Sequence, residues 1–109
     1  MLKQLIKGNT ATIILSLLHQ EPMYGYQLVR EIEARSKKYF TLREGTIYPL
    51  LHNLERQGLI EGRWQKQRNK PARKYYRLTV NGEKVLATNL TEWKNFSLAL
   101  NSLLRKSYG

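Results

Sequence analysis

The chain has 109 residues, no cysteine and no aspartate, and its 19 Lys and Arg against eight Glu give a formal charge of +11. That size allows one domain around one core, and the lack of cysteine excludes a disulfide framework or a thiolate metal site. The longest purely apolar runs are three residues, as in Ile13-Ile14-Leu15, too short for a membrane span. The N-terminal stretch has no secretory h-region, so the expectation is a cytoplasmic protein whose field attracts a polyanion.

Residues 1–7 carry a short helical stripe of Leu2, Leu5 and Ile6 for a partner to cover. Asn9 or Thr10 offers a cap for a first helix running to about His19, with Ile13, Ile14, Leu17 and Leu18 inward, and Glu21-Pro22 ends it. A second helix is expected from about Tyr24 to Arg35, with Leu28, Val29 and Ile32 on one face, followed by a basic connection from Ser36 to Phe40. In the third helix, Ile47, Leu50, Leu51 and Leu54 fall at i, i+3, i+4, i+7. Gly58 occupies the left-handed position after its end, and Leu59 supplies the closing apolar contact. Thr41 to Glu44 fits a capping box, whereas Pro49 favours a later start. The start is expected near Arg43, with a local distortion around Pro49.

Past Gly58 the residue types suit strands, over Leu59–Lys66 and Arg73–Thr79, around a polar tip from Gln67 to Ala72. Alternation turns one of Tyr75 and Tyr76 inward and the other out. From Arg63 to Arg77 there are seven basic residues and no acid, a candidate phosphate-binding surface. A merely solvated face normally mixes signs. Thr79 can cap the last helix, with Glu83 in its first turn. The hairpin signal Asn81-Gly82 is discounted because no strand-like run follows. Leu86, Leu90, Trp93, Leu100 and Leu104 then repeat at heptad-like spacing, widened by Phe96, Ala99 and Leu103. A helix of about 27 residues is about 40 Å long, more than a small core covers. The excess apolar face calls for a second chain.

The fold class expected is mainly α with a small β-hairpin: a winged helix-turn-helix domain over residues 1–79 and one long dimerisation helix over 80–109. A major groove admits one helix, read by its N-terminal side chains. On the third helix the candidates are Arg43, Glu44, Thr46, Tyr48, Pro49, His52 and Asn53, with Gly45 allowing close backbone approach to a phosphate. The hairpin is then the wing, with Lys66, Arg68, Asn69, Lys70, Arg73 and Lys74 on backbone or minor groove.

The chain resembles the PadR family of transcriptional regulators over residues 10–87. The likeness rests on Tyr24-Gly25-Tyr26, on Gly45-Thr46-Ile47-Tyr48-Pro49-Leu50-Leu51, on Leu54-Glu55, on Gly58-Leu59-Ile60, and on Arg73-Lys74-Tyr75-Tyr76-Arg77-Leu78-Thr79. The single helix after them is similar to the short-tailed subgroup. The resemblance implies a homodimer on a pseudo-palindromic operator, most often a repressor, reading through Thr46, Tyr48 and Pro49 and through a wing around Lys70. Two positions depart from the family: Arg43 stands where a small capping Ser is common, and Asn69-Lys70-Pro71-Ala72 where glycine is usual. In multidrug-sensing relatives a tryptophan in the last helix stacks flat aromatic ligands across the two-fold. Trp93 with Phe96 is the candidate here, the alternative being that Trp93 simply fills the seam, as an aromatic at helical spacing usually does. The seam residues expected are Leu86, Leu90, Trp93, Leu100, Leu103 and Leu104, helped by residues 1–7.

No enzyme constellation is present: there is no Asp, no Cys, no Gly-rich phosphate loop and no nucleophile–His–acid set. His19, at a helix end, and His52 lie in separate elements without metal-ligand spacing, and no cofactor is expected. The partners expected are double-stranded DNA, a second copy of the chain and a small aromatic effector, with no membrane. A basic RNA-binding module, stacking bases on Trp64, Tyr75 or Tyr76, and an interaction protein using the seam for a different partner are the rival classes. The long apolar last helix favours a two-fold dimer over the former, and light scattering separates the latter.

Overall fold

In the computed structural model the backbone is described for residues 2–108 and the side chains for residues 9–105. The elements are α1 (Leu2–Gln20), β1 (Met23–Tyr24), α2 (Gly25–Arg35), α3 (Glu44–Arg56), β2 (Ile60–Gln67), β3 (Lys70–Leu78) and α4 (Val80–Tyr108). The hairpin belongs to a three-stranded antiparallel sheet of order β1-β3-β2. The expected class therefore holds, with one strand more than the sequence showed.

Four expectations are corrected. First, α1 is continuous from Leu2 to Gln20, so neither Asn9 nor Thr10 starts a helix. Thr10 is instead a buried position of the helix interior, and cap chemistry has no work to do where the backbone ladder continues. The stripe of Leu2, Leu5 and Ile6 lies outside the described side chains. Second, Met23 and Tyr24 pair with Tyr76 and Tyr75, so Tyr24 is a strand residue and the N-cap of α2 rather than its first turn. Third, α3 starts near Arg43 as expected, but neither the capping box at Thr41 nor a break at Pro49 accompanies it. Arg43 is the N-cap of α3 and makes no side-chain cap bond, while the helix runs unbroken through Pro49. Fourth, the wing tip is only Arg68-Asn69, not six residues. Asn69 takes the left-handed conformation at φ 59°, which asparagine tolerates better than most residues. The pairs Gln65–Arg73 and Gln67–Lys70 leave Lys66 opposite both Pro71 and Ala72. This bulge accommodates a proline that cannot donate to the ladder.

The core draws on every element. Ile14, Leu15, Leu17 and Leu18 of α1, Met23 of β1, Leu28 and Ile32 of α2, Leu42 ahead of α3, Ile47, Leu51 and Leu54 of α3, Leu59 after it, Ile60 of β2, Tyr76 of β3 and Leu86 of α4 are all buried. At the end of α3, Leu59 N–H donates to Leu54 O (3.0 Å) around Gly58 at φ 77°, the expected glycine stop. Thr79 then joins two elements: its hydroxyl donates to Gly58 O (2.7 Å) and accepts Gly82 N–H (3.0 Å). A Cβ on Gly82 would fall 2.1 Å from Leu59 O, so glycine lets the start of α4 press on this turn. Farther along, Asn89 Nδ2 donates to Thr12 Oγ1 (3.0 Å), and His19 Nδ1 lies 2.8 Å from Glu83 Oε2. Both contacts hold α4 against α1.

Candidate nucleic-acid interface

Burial of Ile47, Leu51 and Leu54 fixes which face of α3 is turned out. Arg43, Glu44, Gly45, Thr46, Tyr48, Pro49, His52 and Asn53 are all exposed, as a reading face requires. Nothing lies within 4 Å of where a Gly45 Cβ would stand, so the backbone there is open to close approach. Tyr48 is half out, and its ring rests on α2: a Cβ on Gly25 would fall 2.6 Å from Tyr48 Cε1. The glycine between Tyr24 and Tyr26 is thus the seat of Tyr48 and sets how α2 and α3 meet. Tyr26 is exposed beside Arg30, whose guanidinium lies 5.8 Å from its ring centre.

Opposed residues of an antiparallel pair share a face, and the register divides the hairpin accordingly. The inner face carries Ile60, Gly62 and Trp64 with Leu78, Tyr76 and Lys74; the outer face carries Glu61, Arg63 and Gln65 with Arg77, Tyr75 and Arg73. As expected, one tyrosine of the pair is buried, and it is Tyr76.

The seven cations do not all face solvent unpaired. On the outer face, Glu61 takes Arg63 (2.9 Å) and Arg77 (3.4 Å), and those two guanidiniums hold its carboxyl below the usual range. The guanidinium of Arg73 sits 4.3 Å from the ring centre of Tyr24, which meets Tyr75 edge-on at 5.3 Å, a cation–π stack. On the inner face, Lys74 Nζ donates to Glu55 Oε1 at 3.0 Å. Among the described residues, only Lys66, Arg68 and Lys70 of the seven are exposed without an ion pair or ring partner. The free positive charge of the wing is concentrated at its distal end, and Lys74, expected on phosphate, is turned inward.

Along α4 the seam residues separate. Leu86 is buried in the subunit's own core (4% exposed), so it has no surface left for a partner; the first turns of α4 complete the winged domain. Leu90, Trp93, Phe96, Leu100, Leu103 and Leu104 are exposed, as is Leu98. Trp93 and Leu90 also form one wall of a cleft of about 620 Å³, opposite Ile13 and Leu17 of α1, Ile32 of α2 and Phe40. Phe96 does not line it. His52 is exposed on α3, and no described helix is long and apolar enough to cross a membrane.

Sequence reasoning missed Glu55, Gly62, Gly25 and Glu61 as site-forming residues. The two glycines between strand- or helix-forming neighbours were the available signal, since an interior glycine marks a close approach. Trp64 was read as a strand residue and an RNA-stacking alternative. It stands 70% exposed on the inner face beside Lys74.

Comparison with known proteins agrees with this geometry. Residues 14–88 match the transcriptional regulator PadR-like family. An uncharacterised protein of Lysinibacillus sphaericus is 34% identical over 89 residues, 82% of each chain. The transcriptional regulator YqjI of Escherichia coli is 36% identical over 53 residues, 49% of this chain but 26% of its own length. A PadR-like transcriptional regulator from Bacillus cereus superposes with a TM-score of 0.82 at 35% identity, covering 93% of this chain and 96% of its own. One from Eggerthella lenta gives 0.84 at 34% identity, with 95% and 88% covered. Bacillus subtilis PadR, solved in complex with operator DNA, gives 0.69 at 28% identity, over 74% of this chain and 46% of its own. The chain belongs to the PadR-like family of transcriptional regulators.

Proposed function

We propose that the chain is a sequence-specific DNA-binding regulator, acting in the cytoplasm as a repressor, that grips a pseudo-palindromic operator as a homodimer. The observation that carries this reading is the division of charge on the hairpin. Four of its seven cations are satisfied within the fold, while Lys66, Arg68 and Lys70 are left together at the far end of a wing tied to α3. A wing so arranged reaches phosphates beside the groove that α3 enters. Arg43, Thr46, Tyr48, Pro49, His52 and Asn53 are the reading and positioning residues, with Asn69 at the wing turn. That the Bacillus subtilis relative is solved in complex with operator DNA supports DNA as the partner.

Dimerisation is assigned to α4 beyond Leu86, through Leu90, Trp93, Leu100, Leu103 and Leu104, with residues 1–7 assisting. The exposure of Leu90, Trp93, Leu100, Leu103 and Leu104 in one subunit is the support, since a run of large apolar side chains in water marks an interaction surface. The pairing would set two recognition helices about 34 Å apart, one turn of DNA. A small planar aromatic effector held by Trp93 and Phe96 at the interface would alter that spacing and release the operator. Selection from a pool of random duplexes tests the whole reading. An inverted repeat is expected, and recovery of unrelated duplexes with no shared element would favour the rival class of a basic module without operator specificity.

A further inference from the structure

The wing meets the end of α3 through a polar cluster that groove reading does not explain. Glu55, in the last turn of α3, commits both carboxylate oxygens to the hairpin. Oε2 accepts Gly62 N–H of β2 at 3.0 Å, and Oε1 accepts Lys74 Nζ of β3 at 3.0 Å. The Lys74 ammonium also lies 5.3 Å from the Tyr76 ring centre. Gly62 makes the room: a Cβ there would fall 2.3 Å from Lys74 Cε and 3.1 Å from Glu55 Oε2. Both charged side chains are about 70% withdrawn from solvent, at 30% and 29% exposed. The hydrogen bond between them holds the Glu55 carboxyl below its usual range and the Lys74 ammonium above its own.

One side chain thus bridges both strands of the wing to the recognition helix. A two-stranded ribbon attached only at its base can pivot, and alone it has marginal rigidity. Its angle to α3 decides whether Lys66, Arg68 and Lys70 reach phosphate while α3 is seated in the groove. We propose that Glu55 is a positioning residue for DNA recognition: through Gly62 and Lys74 it fixes the wing against α3, so operator discrimination depends on a residue that touches no DNA. Lys74 accordingly serves inside the protein and not on phosphate. The discrimination part rests on the DNA reading above; the clamp itself does not.

The absence of cysteine makes a distance measurement direct. Spin labels at Gln57→Cys and Arg68→Cys, with labelled chains diluted in unlabelled ones, report the separation of wing tip and helix end in the free protein. Glu55→Gln and Lys74→Met, each checked for folding by circular dichroism, are expected to broaden that distance distribution. Each is also expected to cut the preference for the selected operator over random duplex about tenfold while leaving the salt slope unchanged. The double variant is expected to be no worse than either single one, because the two residues act as one unit. A narrow, unshifted distance distribution in Glu55→Gln overturns the clamp, whatever the protein does with DNA. So does a Lys74→Met variant that weakens all duplexes alike and lowers the salt slope by about one unit, which would return Lys74 to phosphate. If Glu55→Gln does not fold, Lys74→Met decides both readouts. A native chain that binds no duplex would sink the DNA reading and the discrimination it implies, while the distance measurement would still judge the clamp.

Discussion

The winged domain and the far half of α4 treat apolar surface in opposite ways. Between Ile14 and Leu86 the large aliphatic side chains of the helices, the exposed Val80 at the start of α4 apart, close on one core, and several, such as Ile47 and Leu51, are fully buried. Beyond Leu90 the side chains of α4 are as apolar, yet Trp93, Phe96, Leu98, Leu100, Leu103 and Leu104 stand in solvent, between 41% and 75% exposed. The same residue types thus serve two ends. In the first region they specify how the subunit folds, and in the second they stay in solvent, on the face that the proposed dimer would cover. The comparison also explains why the heptad-like spacing that begins at Leu86 overstates the seam. The helix starts as a core element and becomes a free one within about one turn.

Substitutions at the two regions can break this contrast. The largest effect is expected inside the domain: Leu51→Ala should cost about 3 kcal/mol, read as a lower denaturant midpoint with unchanged m-value. Leu100→Glu with Leu104→Glu should leave helical content intact and yet yield a monomer in light scattering, with operator affinity reduced on the order of a hundredfold. Core-like unfolding of this double variant would show that α4 stabilises its own subunit instead. Gly82→Ala lies where the two regions join. Its Cβ would meet the Leu59 carbonyl at 2.1 Å, so a loss of about 2 kcal/mol is expected as α4 is pushed off the turn.

A smaller effect distinguishes the clamp from the free wing tip. The Glu55 carboxyl is held below 4.5, chiefly by the hydrogen bond from Lys74, so its contribution is present above that pH and is lost as pH falls through the lowered value. Lys74 is held above 10.5, so its share is full below that pH and is lost as pH rises through the raised value. Between these limits the pair should add about 1 kcal/mol, discounted because nearly a third of each side chain meets water. Glu55→Gln should therefore flatten the acid side of the stability profile. The smallest effect is at the wing tip: Lys70→Ala should leave stability within about 0.5 kcal/mol while weakening all duplexes and lowering the salt slope by about one unit.

Much of the fold was legible because its signals are local. The apolar spacing of Ile47 to Leu54, the glycine stop at Gly58 and the cap at Thr79 each lie within a few residues of the structure they determine. The acid-free basic stretch likewise announced the wing. What stayed hidden depends on residues far apart in the chain. The strand at Met23-Tyr24 exists only because β3 lies beside it, and Asn9 and Thr10 suggested a cap because the sequence does not show that α1 continues before them. A basic residue looks the same in sequence whether it is free or paired. Only the fold separates Lys70, exposed at the tip, from Lys74, paired with an acid 19 positions away.

The central claim, that α4 pairs two subunits so that two recognition helices meet successive turns of one duplex, is tested most directly by a hydroxyl-radical footprint on the selected operator, with the stoichiometry of the complex measured alongside. Two chains per duplex and two protected patches about 10 base pairs apart on one face are the predicted result. One chain per duplex with a single patch would contradict it.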